Sequence, residues 1–444
     1  MRIAGSVCTA VVTSSTSKGR PEEPWTRTQE AVLRKIALRF VPLLTLAFVV
    51  NYLDRTNIAV AALAMNQDLG LSATEFGLGA GILFAGYTTF EIPSNLALYR
   101  FGARRWIARI MITWGLVSIA TALVYDANTF YAARFLLGIA EAGFFPGVTY
   151  YLTVWFPPQY RARMLAWFLV GVPLSTAIGS PISGLLLEMN GVFGLRGWQW
   201  LFIIEGLPAV VLGIIALYAL ADRPETAAWL APKERRLLEN MLGAERRERP
   251  KSNLMTALAD WRVILLALIQ FGFTLGSYGT GIFLPQIVKG FGLTNLVASL
   301  LSAVPYVFAS AAMLWWAWRV ERTGGSIANL SISCAVGMAG LALSVAAGNL
   351  AVALAALTLA LVGITAARAI FWPIPTRFLT GLGAAAGLAF INSIGAAGGF
   401  AGPYLMGWLR DATGSFEAGL VTMAGTLLAT SLLAWSLRLV IKVE

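Results

Sequence analysis

The sequence predicts an all-α membrane protein: twelve transmembrane helices in two six-helix pseudo-repeat bundles, with both termini cytoplasmic. Three observations carry this. Of the 444 residues, 58% are hydrophobic and 12% charged, against about 25% charged in soluble domains. Apolar stretches of about 20 residues, enough to cross a bilayer, recur along the whole chain. A pattern also returns at an offset of 222 residues, half the chain. Arg100 and Gly102 of YRFGARR reappear as Arg322 and Gly324 of VERTGG, and Pro181 of IGSPISG reappears as Pro403 of AGPYLMG.

The elements follow in order. Residues 1–35 are polar and basic and read as a disordered cytoplasmic tail. Their apolar run Val7–Val12 is too short for a secretory signal core. Spans are expected near 37–64, 75–98, 106–125, 129–154, 164–187 and 199–220, forming a first bundle over 36–220. The second bundle, 262–444, holds spans near 262–288, 296–318, 327–347, 351–375, 382–408 and 418–440. Between them, 221–261 is a cytoplasmic central loop in which Pro232 opens a short amphipathic helix. Its basic face suits anionic lipid headgroups. Orientation follows from Lys and Arg, which concentrate in cytoplasmic loops. With the N-terminus inside, 27 of the 33 lie on the cytoplasmic side. Arg196, Lys289 and Arg410 lie outside, and Arg55, Arg134 and Arg368 lie within helices.

Composition also excludes. The net charge of +11 sits in loops and tail, so it speaks of a membrane surface rather than of nucleic acid. There is no histidine, and Cys8 and Cys334 make no disulfide framework. No phosphate-binding loop, metal-ligand spacing or nucleophile arrangement is present, so no enzyme, catalytic residue, metal or cofactor is expected.

Function is expected where charge enters the membrane. NYLDRTNIAV, residues 51–60, sets Asp54 beside Arg55 in an apolar helix, where one charge costs about 2.5–3.5 kcal/mol on insertion scales. Arg134 and Glu141 are seven residues apart and share one face of the fourth span, about 10 Å from each other. Moving 222 residues on from Asp54, Arg55 and Glu141 gives Gly276, Ser277 and Gly363. The fold itself therefore does not demand these charges. A carboxyl group in low dielectric can hold a proton near neutral pH, and arginine offers a planar fork to a carboxylate ligand. When an anion takes the arginine, the acid loses its partner and protonates more readily, so proton and anion favour each other.

Further pocket candidates are Tyr87 in the second span, and Trp372, Asn392 and Ser393 in the second half. An indole presents both an apolar face and a donor. Arg368 lies on the same helical face as Trp372. A second guanidinium would suit a ligand with two anionic ends, or an anion joined to a ring that stacks on Trp372. Glu91 reads as structural, and Glu205 receives no transport role. Glycines of the fifth and eleventh spans, with Pro181 and Pro403, read as rocking surfaces.

Four stretches carry a resemblance: NYLDRTNIAVA, RFLLGIAEAGFFPGVTYYLTVWFP, GWQWLFIIEGLP and FINSIGAAGGFAGPYLMGWLRDATGSF. With the two loop motifs they resemble the anion:cation symporter family of the major facilitator superfamily over nearly all of 35–440. One departure is Tyr99, where the superfamily usually carries an acid before the loop arginine; Glu321 keeps that acid in the second copy. The family carries tartrate, phthalate, sugar acids and other organic anions. The resemblance implies that Asp54 and Glu141 accept protons, that Arg55 holds the substrate carboxylate, and that Arg134 is a switching partner for the acids. The expectation is a proton-coupled symporter importing an organic carboxylate by alternating access, as a monomer in a bacterial inner (plasma) membrane. Its partners are a small organic anion, protons and the lipid bilayer. A non-transporting anion sensor on the same fold, an antiporter and a uniporter stay open as alternatives.

Overall fold

A computed structural model describes residues 26–157, 160–161, 164, 171–243, 260–375 and 381–439. Every regular element among them is a helix. The first half holds α1 (Arg27–Leu69), α2 (Ala73–Phe101), α3 (Ala103–Ala120), α4 (Ala127–Glu141), α5 (Phe144–Trp155), α6 (Gly171–Leu187) and α7 (Gly197–Ala219). After α8 (Pro232–Gly243) come α9 (Trp261–Lys289), α10 (Asn295–Thr323), α11 (Ser326–Val345), α12 (Leu350–Phe371), α13 (Gly381–Thr413) and α14 (Glu417–Ser436). Among the described residues, nine helical segments are long and apolar enough to cross a membrane, with α4 and α5 counted as one. Helices α2, α6 and α13 occupy the three other positions where spans are expected. The chain is a multi-pass membrane protein.

Helix α1 starts earlier than its hydropathy suggests. Thr26 Oγ1 accepts from Gln29 N at 3.3 Å, and Gln29 Oε1 accepts from Thr26 N at 2.8 Å. This capping box starts the helix inside the expected tail, of which residues 1–25 lie outside the described residues. At 43 residues, α1 is about 65 Å long, twice the roughly 30 Å hydrocarbon core. Its first turns therefore stand clear of a bilayer, and α8 docks there. Lys35 Nζ lies 2.7 Å from Glu234 Oε2, Arg39 covers the Trp229 ring, and Trp229 packs on Phe40 and Trp155. The central loop is thereby fastened to the first half, while Lys233 and Arg236 on α8 stay exposed.

The fourth expected span, 129–154, is broken. Helix α4 ends at Glu141, and Gly143 turns the chain at φ +87° before α5 begins. That backbone favours glycine. The carbonyl freed at Ala142 accepts from Ser94 Oγ of α2 at 2.6 Å.

The 222-residue repeat reappears in the geometry. Gly102 and Gly324 end α2 and α10 at φ +88° and +74°. Across the two halves, α6 packs on α10, α13 packs on α2, and α1 packs on α9. Each half thus applies its fifth expected span to the second span of the other. Where Tyr99 departs from the loop motif, Tyr99 is exposed. Asp222, just after α7, accepts from Arg104 N at 2.8 Å instead.

The two halves are locked at the end expected to face outside. Asp411 of α13 caps α2, accepting from Ala73 N at 3.1 Å, Thr74 N at 2.7 Å and Thr74 Oγ1 at 2.6 Å. Lys289 Nζ donates to the Leu63 carbonyl of α1 at 2.9 Å. Side chains at Gly77 and Gly407 would collide with the backbone of the opposite half, at Pro403 and Ala73.

Candidate transport site

Neighbouring residues on an α-helix point about 100° apart, which explains the Asp54–Arg55 pair. The two do not face each other. Asp54 turns into the first half, where it is buried. Its Oδ2 accepts from Trp114 Nε1 at 2.9 Å, and its Oδ1 accepts from Ser118 Oγ at 2.8 Å and Asn57 Nδ2 at 3.4 Å. Trp114 and Ser118 both sit on α3. Every direct donor to this carboxyl is neutral.

Arg55 turns toward α4. Its Nε lies 2.6 Å from Glu141 Oε2, and its guanidinium stands 4.7 Å from the centre of the Tyr87 ring. Glu141 is fully buried, and its Oε1 has no hydrogen-bond partner. It is the last residue of α4, at the helix end whose dipole favours a cation. The helix break therefore puts an acid where Arg55 is its natural partner. Glu91, expected to be structural, neighbours both Tyr87 and Arg55.

Arg134 is 1% exposed, so it does not reach the outer surface. Its Nε and Nη1 have no hydrogen-bond partner. It lies within electrostatic reach of both Glu141 and Asp54.

Arg368 crosses between the halves. Its Nη1 donates to Tyr52 Oη of α1 at 2.9 Å, and its Nη2 donates to Ser277 Oγ of α9 at 3.1 Å. Its guanidinium carbon is 5.9 Å from the Tyr278 ring centre. Tyr52 and Tyr278 are electrostatic neighbours of both Arg55 and Arg368. A cavity of about 40 Å³ lies beside them, lined in part by Tyr52, Thr56, Ser180, Ser277, Tyr278 and Tyr306. That volume holds a few waters.

The structure thus brings together Arg55, Glu141 and Tyr87, with Asp54 and Arg134 within electrostatic reach of Glu141. It ties Arg368 to the cavity through Tyr52 and Ser277, although neither Arg368 nor any of the other five predicted residues lines it. Trp372, Asn392 and Ser393 are half-buried and do not line this cavity. The Trp372 ring instead stands edge-on to Phe371 at 5.5 Å. The sequence reading missed Tyr52, Ser277, Tyr278 and Tyr306. Two signals were available: Tyr52 precedes Arg55 by one helical turn, and Ser277 is the repeat counterpart of Arg55. Among the described residues, no group of three or more His, Cys, Asp or Glu gathers to hold a metal.

The family profile described as Major Facilitator Superfamily matches residues 44–403. The chain belongs to that superfamily. An Agrobacterium vitis protein named "Putative tartrate transporter" is 51% identical over 403 residues, covering 90% of this chain and 93% of the relative. A "Quinolone resistance transporter" of Acinetobacter baumannii is 40% identical over 396 residues, covering 88% and 91%. Among solved structures, a bacterial homologue of the human lysosomal transporter Spinster, inward-facing and occupied, superposes with a TM-score of 0.75. That likeness covers 94% of this chain and 98% of the other at 16% identity, so it speaks of the fold alone. Like other members of the superfamily, the protein is a transporter and not an enzyme.

Proposed function

We propose that the protein imports a small organic carboxylate together with protons, by alternating access around a site that includes Arg55 and Arg368. The observation that carries this is the pairing of the half-buried Arg55 with the fully buried Glu141 at 2.6 Å. In this reading the anion takes Arg55 from Glu141, and Glu141, left without its cation, takes a proton. Neither charge is then stranded in low dielectric. Asp54, held by neutral donors, carries the second proton position, and Arg134, within electrostatic reach of both acids, is their switching partner. The spans number twelve in two bundles, both ends are cytoplasmic, and a monomer in the plasma (inner) membrane is the working unit.

The substrate side of the reading favours two anionic ends. Arg368 is a half-buried guanidinium held only by hydroxyls, with no carboxylate at ion-pair distance among the described residues. An anion is what it lacks. The surrounding hydroxyls of Tyr52, Ser277, Tyr278 and Tyr306 suit a hydroxylated chain. A hydroxylated dicarboxylate fits both features, and the name of the Agrobacterium relative points the same way. Tyr87 supplies the face beneath Arg55, with Trp372, Asn392 and Ser393 as outlying wall candidates.

The test is uptake of labelled tartrate into proteoliposomes. Import is expected to accelerate when the outside is made acidic, and counterflow is expected without any gradient. A non-transporting sensor would show neither. The name of the Acinetobacter relative favours a second reading, proton-driven export. It would drain preloaded vesicles when the trans side is acidified, and would not fill them.

A further inference from the structure

We infer that Glu205 is a further proton-carrying residue of the same transport cycle, loading Asp54 from the outer side. This rests on the proton-coupled reading above. Glu205 lies in α7, eight residues from the start of that helix, and is 4% exposed. Its Oε1 accepts from Ser183 Oγ of α6 at 2.6 Å, and its Oε2 is buried with no partner. Asn57 joins it to Asp54: the amide donates to Asp54 Oδ1 at 3.4 Å and also neighbours the Glu205 carboxyl. Asn57 Oδ1 has no partner either.

Two acids and an amide therefore form one buried chain with no cation in direct contact. The charged groups near it are those around Asp54, namely Arg134 and Glu141. An isolated carboxylate is expensive in a low-dielectric interior and tends to be neutralised by a proton instead. A proton on Glu205 Oε2 would turn an unpartnered acceptor into a donor, beside a residue, Asn57, whose carbonyl is itself an unpartnered acceptor. A purely structural site is better served by a glutamine, whose amide donates without any proton to lose.

The direction follows from position. Helix α1 runs from Asp54 through Asn57 toward its end at Leu69, and Glu205 and Ser183 lie near that same end of α7 and α6. In the transfer, the Glu205 O–H bond breaks and an O–H bond forms on an Asp54 oxygen through an intervening water. Glu205 remains as a carboxylate held by the Ser183 hydroxyl. Asn57 keeps its own protons and holds the two acids in register.

The experiment compares the parent with Glu205→Gln and Asn57→Ala in lipid. The first readout needs no substrate. Infrared difference spectra across a pH jump should lose one buried protonated-carboxyl band in Glu205→Gln and keep it in Asn57→Ala. The second readout uses labelled tartrate. Gradient-driven uptake should fall about tenfold or more in both variants, while counterflow stays near the parent rate. An unchanged set of carboxyl bands in Glu205→Gln overturns the inference even where the parent carries no tartrate. So does a Glu205→Gln variant whose gradient-driven uptake matches the parent.

Discussion

The two halves end corresponding helices at Gly102 and Gly324, 222 residues apart, yet they treat other repeat positions in opposite ways. In the first half, Asp54, Arg134, Glu141 and Glu205 are all buried charged residues. In the second, the counterparts of Asp54 and Glu141 are Gly276 and Gly363. Gly276 lies against Leu427, and Gly363 meets the backbone of Ser333 and Gly337. The counterpart of Arg55 is Ser277, which serves as a ligand for Arg368. One half carries charges that can change partner. The other is packed closely at Gly276 and Gly363 and presents the guanidinium of Arg368, held by the hydroxyls of Tyr52 and Ser277. Under the proposed function, this division would keep proton chemistry in the first half while the substrate meets both.

The sharpest way to break the comparison is to neutralise the acids. Asp54→Asn and Glu141→Gln should each abolish gradient-driven uptake, with exchange surviving in one of them. Normal accumulation by both would remove the charge asymmetry from the mechanism. Next comes the anion clamp. Arg55→Lys keeps the charge but loses the fork. A binding titration should show a loss of about 1.5–3 kcal/mol, the worth of a hydrogen bond to a charged group.

Arg368→Gln tests the facing half. It should cost a dicarboxylate more affinity than a monocarboxylate analogue, and equal losses would return Arg368 to a structural role. A smaller effect is expected at the outer lock. Asp411→Asn weakens the cap on α2, so a Thr56→Cys reporter in the inner cavity should react faster with an impermeant thiol reagent added outside.

The smallest effect is expected at Glu234. The hydrogen bond from Lys35 holds its carboxyl below the usual 4.5. Any stability this contact contributes is therefore present above that value and fades as pH falls through the lowered pKa. The pair is largely exposed, so Glu234→Gln should change thermal stability by less than about 1 kcal/mol.

The positions of the helices were legible because hydropathy marks what lipid must cover. What hydropathy does not mark was lost. The first turns of α1 carry Arg27, Glu30, Arg34 and Lys35, so their helix lies outside any apolar run. The break at Ala142–Gly143 is invisible because both flanks are equally apolar. Asp54, Arg55 and Glu141 stood out as charges among apolar residues, whereas Tyr52, Tyr278 and Ser277 are ordinary membrane-helix residues. That Asp54 and Arg55 part company could have been read from the 100° step between neighbours; which one faces Glu141 could not.

The most direct measurement is the proton count on anion binding. Purified protein in weak buffer with a pH-sensitive dye is mixed with tartrate, and the parent is compared with Glu141→Gln. The expected result is that the parent takes up a proton as the anion displaces Glu141 from Arg55, while Glu141→Gln binds tartrate with no proton uptake. A Glu141→Gln protein that still takes up the proton on binding would contradict the exchange of partners at Arg55.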